Sequence, residues 1–187
     1  DPAGETPVVE PARADTPEAF RGALSRVFDA SYLVHKGLSA DGFSEAQAGA
    51  ARLVEALAGV DMKLLKGKLH VQWMQDLAVL EESAKALVGA TDITVAREAY
   101  EALSNTLILV AYRFGAGADT SIVRFHCPMA FDNRGADWLQ AGEPLLNPYF
   151  GAAMLRCGVV KGIIQDAGSK APEAQGSPED GGAHDGH

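Results

Sequence analysis

The stretch Trp73-Met74-Gln75-Asp76-Leu77-Ala78-Val79-Leu80-Glu81-Glu82-Ser83-Ala84-Lys85-Ala86-Leu87-Val88-Gly89 decides the fold. Trp73, Leu77, Leu80, Ala84, Leu87 and Val88 follow one another at steps of four, three, four, three and one, the spacing of a helix with one apolar stripe. Gly89 stops that helix. Thr91-Asp92 supplies the next N-cap, and Val95, Ala99, Leu103, Leu107, Val110 and Phe114 carry a further helix to Gly115. Toward the N-terminus, Ser44-Glu45-Ala46-Gln47 has the form of a capping box, opening a helix with Ala51, Val54, Leu57 and Ala58 on one face that ends near Gly59. Thr16-Pro17-Glu18 reads as an N-cap, a first-turn proline and a favourable acid. Phe20, Leu24, Val27, Phe28 and Val34 then define a helix over 17–37, ended by Gly37 and the Asp41-Gly42 turn. Four helices of this length with short connections predict an antiparallel up-down four-helix bundle.

Beyond Gly117 the periodicity changes. Ser121 to His126 alternates as a short strand, with Ile122, Arg124 and His126 on one side and Val123 and Phe125 on the other. Gly158 to Ile164 is a second β-rich run and a candidate partner for it. The expected fold class is therefore mainly α: a four-helix bundle followed by a loop module, residues 121–164, with a short two-stranded β element and a short helix. Both ends are rich in Pro, Gly, Ala and acids, and too poor in large apolar groups to offset the entropy of ordering. Residues 1–15 and 166–187 thus read as disordered tails around a single domain, 16–165.

Charge and hydropathy exclude two function classes. The net charge is -9, but residues 1–18 and 165–187 each hold five acids and one base, which leaves the span 19–164 at -1. A nearly neutral body without a basic stripe is not a nucleic-acid binder. The most apolar run, Leu103 to Phe114, is broken by Ser104, Asn105, Thr106 and Arg113, short of the roughly 18 apolar residues a spanning helix needs. Direct membrane insertion and transport are not expected. The chain begins at Asp1 with neither methionine nor a leader, and reads as a processed or excised segment.

The segment from Phe125 to Gly158 holds both cysteines and two of the four methionines. Pro128 biases Cys127 toward extended geometry, where residues two apart share a face, so Cys127 and Met129 can offer a thiolate and a thioether in one direction. Asn147-Pro148 resembles an N-cap and first-turn proline for a short helix on which Met154 and Cys157 stand three apart. Two sulfur pairs can then face one another. Thiolate and thioether donors select Cu(I), or Ag(I) by the same chemistry, over Mg, Ca or Mn, and zinc is seldom held by thioether sulfur. His126 is a secondary ligand candidate, though strand alternation points it away from Cys127. Two cysteines 30 positions apart equally suit a structural disulfide, and the methionines equally suit core filling. Residue chemistry alone leaves metal binding, a disulfide and inert buried thiols all open.

The stretches His126-Cys127-Pro128-Met129-Ala130, Gly135-Ala136-Asp137-Trp138-Leu139-Gln140, Asn147-Pro148-Tyr149-Phe150-Gly151 and Met154-Leu155-Arg156-Cys157-Gly158 form an ordered set. With His70-Val71-Gln72-Trp73-Met74, Asp92-Ile93, Arg97, Leu103 and Ser104 upstream, they resemble a bacterial domain of formerly unknown function. That domain occurs as an exported protein or fused C-terminally to periplasmic adaptor (membrane-fusion) subunits of heavy-metal efflux systems. The resemblance covers most of residues 20–165. It implies a periplasmic setting and a link to copper or silver handling, with Cys127, Met129, Met154 and Cys157 as the matching sulfur positions.

The remaining candidates are minor. His184 and His187 in the tail can scavenge Cu(II), Zn or Ni weakly. His35 reads as a favourable charge near the end of the first helix, and His70 and Met74, four apart on the third, as packing residues or secondary metal ligands. Trp138, Tyr149 and Phe150 are expected to pack the loop module onto the bundle, and Trp138 over a copper site would shield it. No nucleophile, base and orienting partner occur together, no Cys-x-x-Cys pair is present, and Cys157 near a helix end receives no help from the dipole, so no catalysis is expected. The expected function is a periplasmic Cu(I)-binding domain that sequesters copper or hands it to an efflux adaptor or another copper carrier. The alternative is a disulfide-stapled interaction module that docks an adaptor or sensor without metal.

Overall fold

The computed structural model describes residues 13–117, 122–142 and 144–164. The segments 1–12 and 165–187, with the expectations made for them and for His184 and His187, lie outside the described residues. Residues Arg13–Asp15, assigned above to the N-terminal tail, form a 3-10 turn. Four long helices follow: α1 (Glu18–Ser39), α2 (Phe43–Ala58), α3 (Gly67–Val88) and α4 (Ile93–Phe114). Each packs on the next, and α4 also touches α1. A 3-10 turn, Met62–Leu64, connects α2 to α3.

The α3 stripe behaves as its spacing predicts: Trp73, Leu77, Leu80, Ala84 and Leu87 are all buried. Val88, the last apolar position of the series, stays exposed. The centre of the core is an aromatic trio from three helices. Phe20 of α1 meets Trp73 of α3 edge to face at 5.1 Å, and Phe114 of α4 lies 5.4 Å from Phe20 and 6.0 Å from Trp73. Such offset geometries add to the area that the rings bury.

The helix ends show where local signals held and where packing overrode them. Asp92 caps α4, its carboxylate accepting from the Thr94 and Val95 N–H groups at 2.9 and 3.1 Å. At α1, Pro17 rather than Thr16 occupies the N-cap position. The helix also runs through Gly37 to Ser39, because Gly37 serves a close approach and not a stop: a Cβ there would lie 2.4 Å from the Ala46 nitrogen of α2. The capping box expected at Ser44 is not formed either. Gly42 is the N-cap of α2, and the Gln47 side chain donates across the bundle to the carbonyls of Val88 and Ala90, at 2.9 and 3.1 Å, satisfying the end of α3.

After α4 comes an antiparallel sheet of three strands, not two: β1 (Ile122–Cys127), β2 (Ala136–Ala141) and β3 (Val159–Ile164), in the order β2-β1-β3. The β1–β3 pairing is the one expected from the sequence, whereas β2 is an addition. Its six residues, Ala-Asp-Trp-Leu-Gln-Ala, contain no β-branched side chain, so their strand conformation is imposed by pairing Phe125 with Trp138 and Cys127 with Ala136. β2 is also the strand that packs on α4, and it ties the sheet to the bundle. The short helix expected after Asn147-Pro148 is a turn leading into a 3-10 segment, Gly151–Met154, and Cys157 lies beyond it.

Candidate functional site: a cysteine pair beside a methionine-lined cleft

Cys127 ends β1 and is fully buried; Cys157 lies two residues before the start of β3, and because β3 runs antiparallel beside β1 the two meet. Their sulfurs are 3.2 Å apart and both are free thiols. A disulfide would require about 2.05 Å, so the pair is in contact without a bond. The Cys157 thiol is pushed above its ordinary pKa, first by its hydrogen bond with Cys127, then by loss of solvation and by the Cys127 charge. It is therefore protonated at neutral pH, and a metal bound here must displace its proton.

Cys127 is not followed by a regular helix. Ala130–Asn133 is a single turn in which Phe131, Asp132 and Asn133 have φ of 51, 56 and 65°, a left-handed run of three non-glycine residues. Such a run is costly for L-residues and persists only where its surroundings enforce it. Here Phe131 packs edge-on against Tyr149 at 5.4 Å, and the Arg134 guanidinium lies over the Phe131 ring at 5.0 Å while paired with Glu101 of α4. The turn forms one wall of a surface cleft of about 510 Å³ whose lining includes both Met129 and Met154. None of the four methionines belongs to the buried core: Met62, Met74 and Met129 are 37, 38 and 47% exposed, and Met154 is half-buried. The core-filling role considered for them does not hold.

The opposite arm is fixed by Asn147, Arg97 and Asp41 through partners distant in sequence. Asn147, wholly buried, accepts from the Tyr149 and Phe150 N–H groups at 2.8 and 3.2 Å and donates to the Cys157 carbonyl at 2.7 Å. The cap-like reading of Asn147-Pro148 was thus right about the side chain and wrong about the helix. Arg97 of α4 donates from Nε to the Pro148 carbonyl (2.8 Å) and from Nη2 to Leu38 (2.9 Å) and Asp41 (2.7 Å). Asp41 in turn accepts from the Ala152 N–H at 2.9 Å, and that bond together with Arg97 holds its carboxyl below the usual carboxylate range. The only signal for this clamp was Asp41-Gly42, where an Asp tolerates the positive φ of 58°.

The aromatic residues pack as expected. Trp138 is fully buried, stacked on Phe125 at 5.4 Å, and Tyr149 bridges Trp138 to Tyr100 of α4. The Tyr149 hydroxyl and the Ser104 hydroxyl both donate to the Asp137 carbonyl, at 2.6 and 2.9 Å, which pins β2 to the bundle.

The secondary candidates go elsewhere. His126 donates from Nδ1 to Asp137, the residue opposite it on β2, and Arg124 grips the same carboxylate. By strand alternation this pair lies on the face away from Cys127. His70 donates from Nδ1 to the Met62 carbonyl at 3.1 Å, and α3, which carries His70 and Met74, packs chiefly on α2, α4 and the Met62–Leu64 turn rather than on the sheet. His35 is no dipole cap: it is buried and donates from Nε2 to the Leu146 carbonyl at 2.8 Å. Burial lowers its pKa, outweighing the opposing effect of that carbonyl, so the ring is neutral near pH 7.

The sign of the resulting pH dependence follows. Below about pH 6.5 the unfolded chain protonates His35 while the folded one does not, so stability falls on acidification through that range and is flat above it. Urea midpoints measured from pH 8 to pH 5 are expected to decline for the wild type more steeply than for His35→Gln. Equal slopes would show that His35 does not titrate this way.

Among the described residues no three His, Cys, Asp or Glu side chains come together as a metal-ligating group. No helix of the described residues is long and apolar enough to cross a membrane. The donors present at the cysteine pair are therefore sulfur atoms: two thiols in contact and, in the neighbouring cleft, two thioethers.

No curated protein and no solved structure matches this chain. A family model does: residues 30–119, from the middle of α1 to just beyond α4, match the family described as "Protein of unknown function (DUF3347)". The match stops before β1 and leaves the sulfur module outside it. Over its helices, then, the chain is similar to an uncharacterised domain family.

Proposed function

We propose that this domain binds a soft monovalent cation, Cu(I) or by the same chemistry Ag(I), and sequesters it or passes it to an efflux system in the periplasm. The observation that carries the proposal is the contact between the Cys127 and Cys157 thiols, 3.2 Å apart, next to a cleft lined by Met129 and Met154. Thiolate and thioether sulfur select Cu(I) over hard cations, and among the described residues no third Cys, His or carboxylate joins the pair to form a closed zinc site. The two thiols would hold the ion as thiolates. The periplasmic and efflux context rests on the resemblance of the four motif stretches.

Titration of reduced protein with Cu(I) against a chromophoric chelator tests the proposal. Cys127→Ser is expected to weaken retention at least about tenfold, and Met154→Leu by less, because a thioether donates without deprotonation and contributes less charge. Equal, weak uptake by wild type and both variants defeats it.

One observation favours a second function. The same 3.2 Å contact suits oxidation to a disulfide, and the β3 edge beside it exposes Val159, Val160 and Ile163, as a stapled docking module would. Zero free thiols in protein from an oxidising compartment, with metal content unchanged after reduction, would favour that function.

A further inference from the structure

The two thiols touch, but they are not equally accessible. Cys127 is 0% exposed at the end of β1, whereas Cys157 is partly exposed in the loop before β3. Both backbones are held. Cys127 sits in the β1–β2 ladder opposite Ala136. The Cys157 N–H donates to the Met154 carbonyl at 2.9 Å, and the Cys157 carbonyl accepts from Asn147 Nδ2 at 2.7 Å. The next residue, Gly158, lies so close to the sheet that a Cβ there would stand 2.8 Å from the Trp138 ring and 3.2 Å from the His126 carbonyl oxygen. We infer that Cys157 is a modification site, the sulfur at which a small-molecule disulfide such as glutathione disulfide exchanges with this protein, and that Cys127 resolves the adduct by closing an internal disulfide. The consequence for metal, that the oxidised pair no longer holds Cu(I), rests on the proposed function.

Access sets the order of the two steps. Exchange begins with attack of a thiolate on the oxidant through a mixed disulfide, so it needs a sulfur that a second molecule can reach. Cys157 meets that condition and Cys127 does not. Cys157 gives its proton to water and attacks one sulfur of the oxidant, whose S–S bond breaks; one half leaves as a thiolate and is protonated. Cys127 then loses its proton and attacks the Cys157 sulfur. The mixed S–S bond breaks, and the second half leaves and is protonated in turn. Two protein thiols are oxidised, one small disulfide is reduced to two thiols, and the protons balance. The resolving step is intramolecular between sulfurs already 3.2 Å apart, which have to close by only about 1.2 Å, so the adduct does not accumulate. A sulfur held in a disulfide has no thiolate to offer a metal, and oxidation leaves only the thioethers as sulfur donors.

The experiment treats reduced, metal-free, full-length protein with excess glutathione disulfide and follows intact mass and free thiols. Wild type is expected to lose both thiols without a lasting glutathione adduct. Cys127→Ala is expected to gain one adduct, on Cys157, and folded Cys157→Ala to react at least about tenfold more slowly. In urea Cys157→Ala is expected to take up glutathione readily, which shows that its thiol is intact. Equal rates for the two folded variants overturn the assignment of Cys157, and a lasting adduct on wild type overturns the resolving role of Cys127. Wild type that keeps both thiols overturns the inference altogether. If Cys127→Ala does not fold, acid-quenched early samples of wild type decide, since peptide mapping places the transient adduct on one cysteine or the other. Oxidised wild type, freed of glutathione, is then titrated with Cu(I) against a chromophoric chelator. It is expected to bind at least about tenfold more weakly than reduced protein, and equal affinity overturns the consequence for metal. If reduced protein itself retains no Cu(I), the proposed function fails, and the adduct pattern still decides the exchange.

Discussion

Gly151→Ala is expected to destabilise the domain by about 3 kcal/mol and to loosen the arm that carries Met154 and Cys157. Gly151 has φ of 58°, a conformation that already costs alanine about 1 kcal/mol or more. A Cβ at this position would lie 2.0 Å from Asp41 Oδ1 and 2.5 Å from Arg97 Nη2, so it cannot be accommodated while the clamp is closed. Opening the clamp forfeits charge-assisted hydrogen bonds worth roughly 1.5–3 kcal/mol each in favourable settings. The Asp41 side chain is 44% exposed, which places these bonds at the low end of that range. For a domain of this size the change corresponds to a melting point lower by on the order of 10 °C. The cause is open to a double-mutant cycle. Removing the Asp41 carboxylate with Asp41→Ala relieves the closest contact, so the two substitutions together are expected to destabilise by clearly less than their sum. Strict additivity would mean that backbone strain alone, and not the clamp, accounts for the glycine.

Arg113→Ala is expected to have the largest effect of any single change in the helical body. Arg113 of α4 and Asp76 of α3 form an ion pair in which both side chains are nearly buried, 14 and 10% exposed. Loss of solvation pushes the Asp76 carboxyl up, more than Arg113 pulls it down, so this charge survives inside only because its partner is present. Removing one member of a buried pair typically costs about 3–5 kcal/mol, because the other is left uncompensated. The pH dependence identifies the mechanism. With the guanidinium gone, the folded carboxyl is raised further above its unfolded value. Stability is then retained in acid and lost as the pH rises through the folded pKa, so the deficit shrinks on acidification. Asp76→Leu/Arg113→Met, which replaces both charges by apolar bulk, is expected to melt within a few degrees of wild type. A deficit in the double variant as large as in Arg113→Ala would assign the effect to lost packing, including the guanidinium's contact with the Phe114 ring, and not to the orphaned carboxylate.

Local interactions explain which features could be read in advance. The α3 stripe, Gly89 and the Asp92 cap all act within a few residues, and each behaves in the fold as its spacing implies. Local signals fail where they compete with a distant partner. Gln47 had a capping partner three residues away and instead bonds to Val88 and Ala90, more than 40 positions along the chain. Gly37 looked like a helix stop because glycine usually is one, yet its missing Cβ is needed against Ala46 of α2. His35 near a helix end looked like a charge for the dipole, but burial against Leu146 leaves it neutral.

By itself the sequence determined a mainly helical body with four long amphipathic helices, a β-containing sulfur segment after them, and the four candidate donors Cys127, Met129, Met154 and Cys157, because periodicity and sulfur chemistry are properties of neighbouring residues. Only the tertiary structure decided that Ala136–Ala141 is a strand, that Arg97 and Asp41 clamp the second arm, and that the thiols touch while the thioethers line a cleft. Those outcomes depend on groups as far as 111 positions apart, as Asp41 and Ala152 are, and no local pattern encodes the meeting of such partners before the chain is packed.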